Sequence, residues 1–454
     1  MNQPYALATE HTDTEPQPVS FWQAFAFWLK LGLISFGGPA GQIATMHQEL
    51  VVNRRWISER RFLHALNYCM VLPGPEAQQL ATYIGWLMHR TWGGVVAGAL
   101  FVLPSLVILI ALSWIYLRYG DVPAVAGILY GIKPAVTAIV LAAAWRIGSR
   151  ALGHPLLWAI AVAAFVAIFA FNVPFPVIVL AAAAAGWLGA RWVPAAFDGS
   201  GHSAGGAAAH TRALIDDDTP RPVHTHWSTA HALRVLVVFL LLWSTAIGGL
   251  TLLLGWDATL TQMAWFFTKA ALLTFGGAYA VLPYVVQGAV EHYGWLTATQ
   301  MIDGLALGET TPGPLIMVVA FVGFVGGWTQ QVLGADALVA GGVLAATVVT
   351  LFTFLPSFLF ILTGAPFIES THGQLHFTAP LKGITAAVVG VIVNLAVFFA
   401  IHVWWPNGLE GGLDPIPVVI SLAALIALAR FKVGVIPVIF ACGLAGLNLR
   451  LIIV

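Results

Sequence analysis

Apolar residues run along this chain in stretches of about 17–25, the length that crosses a bilayer as a helix, and not in the short alternations of membrane strands. The first group covers 19–36, 63–88, 95–117, 124–147, 155–172 and 174–192; the second covers 232–255, 260–287, 303–327, 337–365, 381–405, 415–430 and 433–454. This pattern predicts an all-α polytopic membrane protein with about 12–13 membrane segments. It also divides the chain into a polar N-terminal tail (1–18), a first repeat (19–192), a flexible polar linker (193–231), an extra membrane helix (232–255) and a second repeat (256–454). Trp22, Trp92, Trp187, Trp404 and Trp405 stand near segment ends, where interfacial anchors belong.

The two groups repeat one another. FWLKLGLISFGG at 27–38 matches FFTKAALLTFGG at 266–277, an offset of 239 that also relates Trp56 to Trp295 and Pro73-Gly74-Pro75 to Pro312-Gly313-Pro314. Leu103-Pro104-Ser105 then matches Leu355-Pro356-Ser357 at an offset of 252, as does Gly131-Ile132 with Gly383-Ile384. The change of offset places the extra residues of the second copy within GGWTQQVLGADALV. Loop 53–61 carries Arg54, Arg55, Arg60 and Arg61, while its counterpart 292–300 has no Lys or Arg. Under the positive-inside rule only the first is cytoplasmic, so two inverted-topology repeats are expected, the unmatched helix 232–255 supplying the extra crossing.

Composition removes the other classes. Only 8% of 454 residues are charged, 59% are apolar and mean hydropathy is +0.88, too few charges to cover a water-exposed surface. A net charge of zero gives no footprint for nucleic acid. The acidic first residues (Glu10, Asp13, Glu15) do not make a secretory signal, so the first apolar segment should stay in the mature protein. Cys69 and Cys442 form no motif, and no pair among His202, His210, His224, His226 and His231 has helical metal spacing; no metal or cofactor is expected. The H-E-x-x-H of membrane zinc proteases is absent, and no Ser/His/Asp arrangement emerges, which argues against an enzyme.

Forty-six glycines and twenty-five prolines, many within apolar runs, suit helices broken where they line a cavity. Pro73-Gly74-Pro75 and Pro312-Gly313-Pro314 cannot lie inside a regular helix. The second proline of each suits the first turn of a new helix, whose unpaired N–H groups form an anion site. Gly37-Gly38 and Gly276-Gly277 let the backbone unwind in the same way, with close helix packing as the alternative. Lys30 and its counterpart Lys269 lie inside their segments at a cost of about 2.5–3.5 kcal/mol each, either as charges for an anion or as side chains that snorkel to an interface. Glu76 follows the first break and Glu309 precedes the second; each is read as a proton site, a cap for freed N–H groups, or an interfacial residue. Lys133, His64, Asp303 and Lys382 flank apolar segments and read as ordinary interfacial residues.

FGGPAGQIA at 36–44, LPGPEAQQLA at 72–81 and the second-half FGGAYAVLP and TPGP stretches make the chain similar to the chromate ion transporter family in its two-domain form. That resemblance implies a secondary transporter exporting chromate, with sulfate as a similar oxyanion, across the bacterial inner membrane. It carries the role of substrate binding onto Gly37, Gly38, Pro73, Gly74, Pro75, Glu76, Gly276, Gly277, Pro312, Gly313 and Pro314. The second half lacks a counterpart of Pro39 and of Glu76, so the half-sites need not contribute equally. A sulfate transporter and a passive anion channel stay open as alternatives, as does a homo-oligomer.

Overall fold

A computed structural model describes residues 18–197, 213–217, 219, 223–370 and 378–453; His202 and His210 lie outside them. Helices α1 (Phe21–Ile34), α2 (Gly38–His47) and α3 (Glu59–Cys69) open the first repeat, followed by α4 (Glu76–Tyr119), α5 (Pro123–Ala151), α6 (Pro155–Phe171) and α7 (Phe175–Trp192). A short α8 (Pro194–Phe197) and the long α9 (Thr229–Leu254) lead to the second repeat. There α10 (Thr259–Leu272), α11 (Ala278–Val286), α12 (Ala298–Thr310), α13 (Val318–Thr329), α14 (Leu338–Ser370), α15 (Thr378–Trp404), α16 (Pro415–Ala429) and α17 (Val435–Ile453) follow in the same order. Even a six-residue π-helical turn recurs at the 239 offset, Gln48–Asn53 after α2 and Gln287–His292 after α11.

Local signals fix the ends. Ser20 with Gln23 and Thr297 with Gln300 form capping boxes at the starts of α1 and α12, and Asn172 turns left-handed between α6 and α7. The 44 residues of α4 do not run straight: His89 and Arg90 leave helical geometry, Arg90 with φ of +58°. A Cβ placed on Gly93 would fall 2.2 Å from the Gly85 carbonyl oxygen, and one on Gly98 would fall 2.2 Å from the Thr82 hydroxyl. α4 is therefore a hairpin folded at His89–Arg90. In the second repeat the same fold occurs between α13 and α14, and the extra residues there form the connection Gln330–Ala337.

Four of the thirteen apolar runs also double back. α1 has 14 residues and α3 has 11, about 21 and 17 Å at 1.5 Å per residue, short of a hydrocarbon core of about 30 Å. The chain returns to the side it left. Val19 accepts a hydrogen bond from His89 at 3.0 Å, Arg54 stacks on Phe27 at 4.8 Å, and Trp56 meets the same ring. The second repeat gathers the equivalent loops: Gln262 donates to Trp256, Trp295 packs on Phe266, and Thr329 donates to Trp295. Each repeat thus holds two re-entrant helical hairpins, whose tips are the glycine pair and the Pro-Gly-Pro. Helices long and apolar enough to cross are α4 through its second arm, α5, α7, α9, α14, α15 and α17, while α6 and α16 are shorter apolar helices of 17 and 15 residues.

The crossing helices are interleaved. Gly131 of α5 abuts Cys442 and Gly446 of α17, while Gly383 of α15 abuts Ala182 and Gly186 of α7. These two crossings are equivalents of one another, so each repeat's last helices close against the other repeat's long helix. α5 and α15, themselves equivalents, run antiparallel where they touch: Gly148 lies against Val389, and Leu152 groups with Ala386. Outside, Leu252, Leu253, Phe171, Leu180 and Phe440 are exposed; such a continuous apolar face belongs to lipid. α9 buries little more than Ile247 and is the most lipid-exposed crossing.

Residues 213–217 lie along the basic loop. Ile215 bridges Ile57, with backbone hydrogen bonds from Leu214 to Arg55 (2.8 Å) and from Ser58 to Ile215 (3.0 Å). Ser58 donates its hydroxyl to Asp217 at 2.8 Å, and Arg61 donates to the Thr219 carbonyl at 3.2 Å. Among the described residues no group of three or more His, Cys, Asp or Glu side chains could hold a metal ion.

Candidate functional site

At every tip the backbone takes values that side chains resist. Gly37 and Gly38 have φ of +87° and +67°, Gly276 and Gly277 +77° and +94°, Gly74 +128° and Gly313 +97°. The new helices that start there lack side-chain caps at Gly37, Pro75, Gly277 and Pro314. Several other starts carry side-chain caps, α1 by Ser20, α3 by Ser58, α9 by Ser228 and α12 by Thr297, although α5 and α10, which start after Val122 and Ala258, do not. Uncapped N-termini keep free N–H donors and a positive dipole end.

The tips pair across the repeats. Gly74 donates its N–H to the Thr274 carbonyl at 2.7 Å, and Gly313 donates to the Ser35 carbonyl at 2.8 Å. Gly74 and Gly313 are equivalents, as are Thr274 and Ser35. Each Pro-Gly-Pro therefore joins the glycine tip of the other copy, and the two junctions are related by the duplication. Ser105 packs on Gly313 and its equivalent Ser357 on Gly74. Gln42 donates its side-chain amide to the Gly313 carbonyl, and Gln79 donates to the Pro73 carbonyl at 2.8 Å. Ser35, Gln42, Gln78, Gln79, Ser105, Thr274 and Ser357 are all sealed from solvent.

The predicted residues fall into three places. Gly37, Gly38, Pro73, Gly74, Pro75, Gly276, Gly277, Pro312, Gly313 and Pro314 form the two junctions. Glu76 reaches across to the second repeat, its Oε1 3.9 Å from where a Cβ on Gly277 would stand. Glu309 is buried and accepts the Tyr279 hydroxyl, two residues beyond the same tip. Both carboxylates thus converge on the start of α11. The lysines stand apart from the sealed groups: Lys30 is exposed, and Lys269 is half-buried with its ammonium 5.6 Å from the Trp265 ring centroid.

Sequence reasoning passed over the side chains that fill the junctions. Gln42, Gln78 and Gln79 sit inside quoted motifs, and Ser105 and Ser357 end the matched Leu-Pro-Ser triplets. An amide or hydroxyl in an apolar run next to a break is a weak signal, shared with residues bonded back to their own helix. Lys133 and Asp303, read as interfacial, form an ion pair at 3.4 Å, with Tyr116 donating to Asp303 at 2.9 Å.

The model for the family described as "Chromate transporter" matches residues 22–187 and 261–447, one stretch in each repeat. The chain belongs to the chromate transporter family. A chromate transport protein of Pseudomonas aeruginosa is 34% identical over 443 residues, 96% of this chain and 94% of that one. One from Cupriavidus metallidurans is 30% identical over 380 residues, 83% of this chain and 82% of that protein. An uncharacterized transporter of Bacillus subtilis, YwrA, is 30% identical over 131 residues, 29% of this chain but 73% of its own, so its likeness covers a single repeat's worth of sequence. No solved structure matches the chain. Family and helices together make this a multi-pass membrane transport protein and not an enzyme.

Proposed function

We propose that the chain is a secondary transporter that exports chromate across the cytoplasmic membrane of its cell, working by alternating access between its two repeats. The observation that carries the reading is the pair of tip junctions: uncapped helix starts brought together in a sealed polar cluster. Freed N–H groups in a low-dielectric site suit a small oxyanion. The glycine and Pro-Gly-Pro tips would cradle its oxygens, while Lys30 and Lys269 act as more distant charges. Glu76, lying at the start of α11, is placed to occupy that terminus when no substrate is there and to be displaced by it.

Energetics favour the outward direction. Each charge leaving through 100 mV, negative inside, gains about 2.3 kcal/mol, so an oxyanion with one charge gains about 2.3 and one with two charges about 4.6. Export therefore needs no coupled ion, although Glu76 and Glu309 give protons a place to bind. The deciding experiment is uptake of labelled chromate into everted vesicles with sulfate as competitor. Saturable, counter-flow-competent uptake supports the reading; unsaturable flux would show a channel, and uptake of sulfate alone would move the substrate to that ion.

A further inference from the structure

Two glutamines, both from the first repeat, hold the two Pro-Gly-Pro tips. Gln42 gives its amide N–H to the Gly313 carbonyl and Gln79 gives its own to the Pro73 carbonyl. A backbone carbonyl only accepts, so it fixes which end of each amide faces it, the NH2 group on that carbonyl and Oε1 turned from that one oxygen. Gln42 is 1% exposed and Gln79 0%, and neither Oε1 has a hydrogen-bond partner in the protein. Beside each stands a buried serine hydroxyl in the same condition, Ser105 at Gly313 and Ser357 at Gly74. Each junction therefore holds an unpartnered hydroxyl and an amide oxygen that cannot turn round, beside a helix start whose first N–H groups have no side-chain cap. The equivalents of Gln42 and Gln79 in the second repeat are Val281 and Val318, so only the first repeat supplies fixed acceptors.

A tetrahedral dianion carries acceptor oxygens alone. Bound here, it would leave those amide oxygens buried and unpaired, at their full desolvation penalty. A singly protonated oxyanion matches both kinds of group, its O–H donating to an amide oxygen while its other oxygens accept. We infer that the transported species is a tetrahedral oxyanion in its monoprotonated form, recognised through its O–H by Oε1 of Gln42 or Gln79. The inference rests on the reading that the tips hold the oxyanion. It separates two ions of the same shape and charge: chromate takes up a proton close to neutral pH, sulfate only in strong acid. A site built to bond a substrate hydroxyl discriminates strongly against the analogue that lacks it. The charged and titratable groups near the tips include Glu76 on α4, Cys69 on α3, which interacts electrostatically with Glu76, Glu309 on α12, Tyr279 on α11, and Arg146 of α5, which acts electrostatically on Glu309.

Equilibrium binding of labelled chromate and labelled sulfate to the purified full-length protein, from mildly acid to mildly alkaline pH, tests it. The expected apparent Kd for total chromate rises about tenfold per pH unit once chromate is mainly deprotonated, because the competent fraction falls by that factor. Sulfate should bind at least about a hundredfold more weakly and without that slope, and Gln42→Met and Gln79→Met should draw the two affinities together. Sulfate keeps one protonation state throughout, so a slope shared by both ions would come from the protein's own groups and would overturn the inference. Equal wild-type affinity for both ions would overturn it without any variant. Ser105→Ala with Ser357→Ala examines the underlying reading separately. If chromate binding survives unchanged there, the tips are not the site and both fall; if it is lost while wild-type Kd stays constant in total chromate, the tips hold the ion and only the protonated form is refuted.

Discussion

Gly74 and Gly38 have the same kind of backbone but different surroundings. A Cβ on Gly74 would lie 2.5 Å from both Gln79 Nε2 and Ser357 Oγ, whereas one on Gly38 would meet nothing within 4 Å. Alanine at Gly38 therefore costs only the left-handed conformation, about 1–2 kcal/mol, while alanine at Gly74 also forces the junction apart. Transport assays in vesicles should find Gly38→Ala active and Gly74→Ala nearly inactive at equal membrane abundance. Equal activity would show that the junction has slack. Glu76 makes a second contrast: a resident negative charge beside the α11 start opposes a bound anion. Glu76→Gln should lower KM for chromate by about a hundredfold or more, as expected for removing a like charge about 6 Å away at an effective dielectric constant near 20, and should slow turnover because the empty site loses its internal occupant. An unchanged KM would place Glu76 outside the anion's field. At this scale the prolines and glycines were legible because their geometry is intrinsic. Gln42, Gln79, Ser105 and Ser357 were not, since a lone amide or hydroxyl in an apolar run reads equally as a residue bonded back to its own helix.

Helices in lipid gain nothing from hiding apolar surface against one another, so close backbone approach through small residues must hold them. The crossing of Gly131 with Gly446, repeated by Gly383 with Gly186, is such a contact: a Cβ on Gly131 would fall 2.0 Å from the Cys442 carbonyl. Gly131→Leu should therefore damage assembly itself, lowering yield and detergent Tm, and not transport alone. A Gly131→Leu protein with wild-type Tm but no transport would reassign the residue to the substrate path. The duplication was legible from matched offsets, including the Gly131-Ile132 pair. The exchange of partners between repeats was not, because an offset records which segments are alike and nothing about which ones touch. Likewise the apolar runs at 63–88 and 303–327 read as crossings, although each contains a Pro-Gly-Pro that reverses the chain.

For the molecule as a whole, the inversion follows from one helix and one strand-like contact. Residues 213–217 are tied to the loop around Ile57, so the end of the first repeat returns to the side that carries Arg54, Arg55, Arg60 and Arg61. α9, with 26 residues, about 39 Å at 1.5 Å per residue, is long enough to cross. It delivers α10 to the far side, where Gln262 contacts the Trp256 carbonyl and Tyr293. The second repeat therefore begins where the first does not, as the antiparallel contact of α5 with α15 requires. The positive-inside asymmetry of the two loops and the unmatched segment 232–255 pointed to this in the sequence; the docking of 213–217 had no signal there, since a single bridge leaves no periodicity. Single cysteines at Ser58, Asp217 and Thr297 test it, because Cys69 and Cys442 are buried and give little background. An impermeant maleimide applied to right-side-out cells should label Thr297→Cys alone, and everted vesicles should expose Ser58→Cys and Asp217→Cys. Labelling of positions 58 and 297 from one side would mean that the repeats are parallel, and the junctions joining Gly74 to Thr274 and Gly313 to Ser35 could not then form from opposite faces of the membrane.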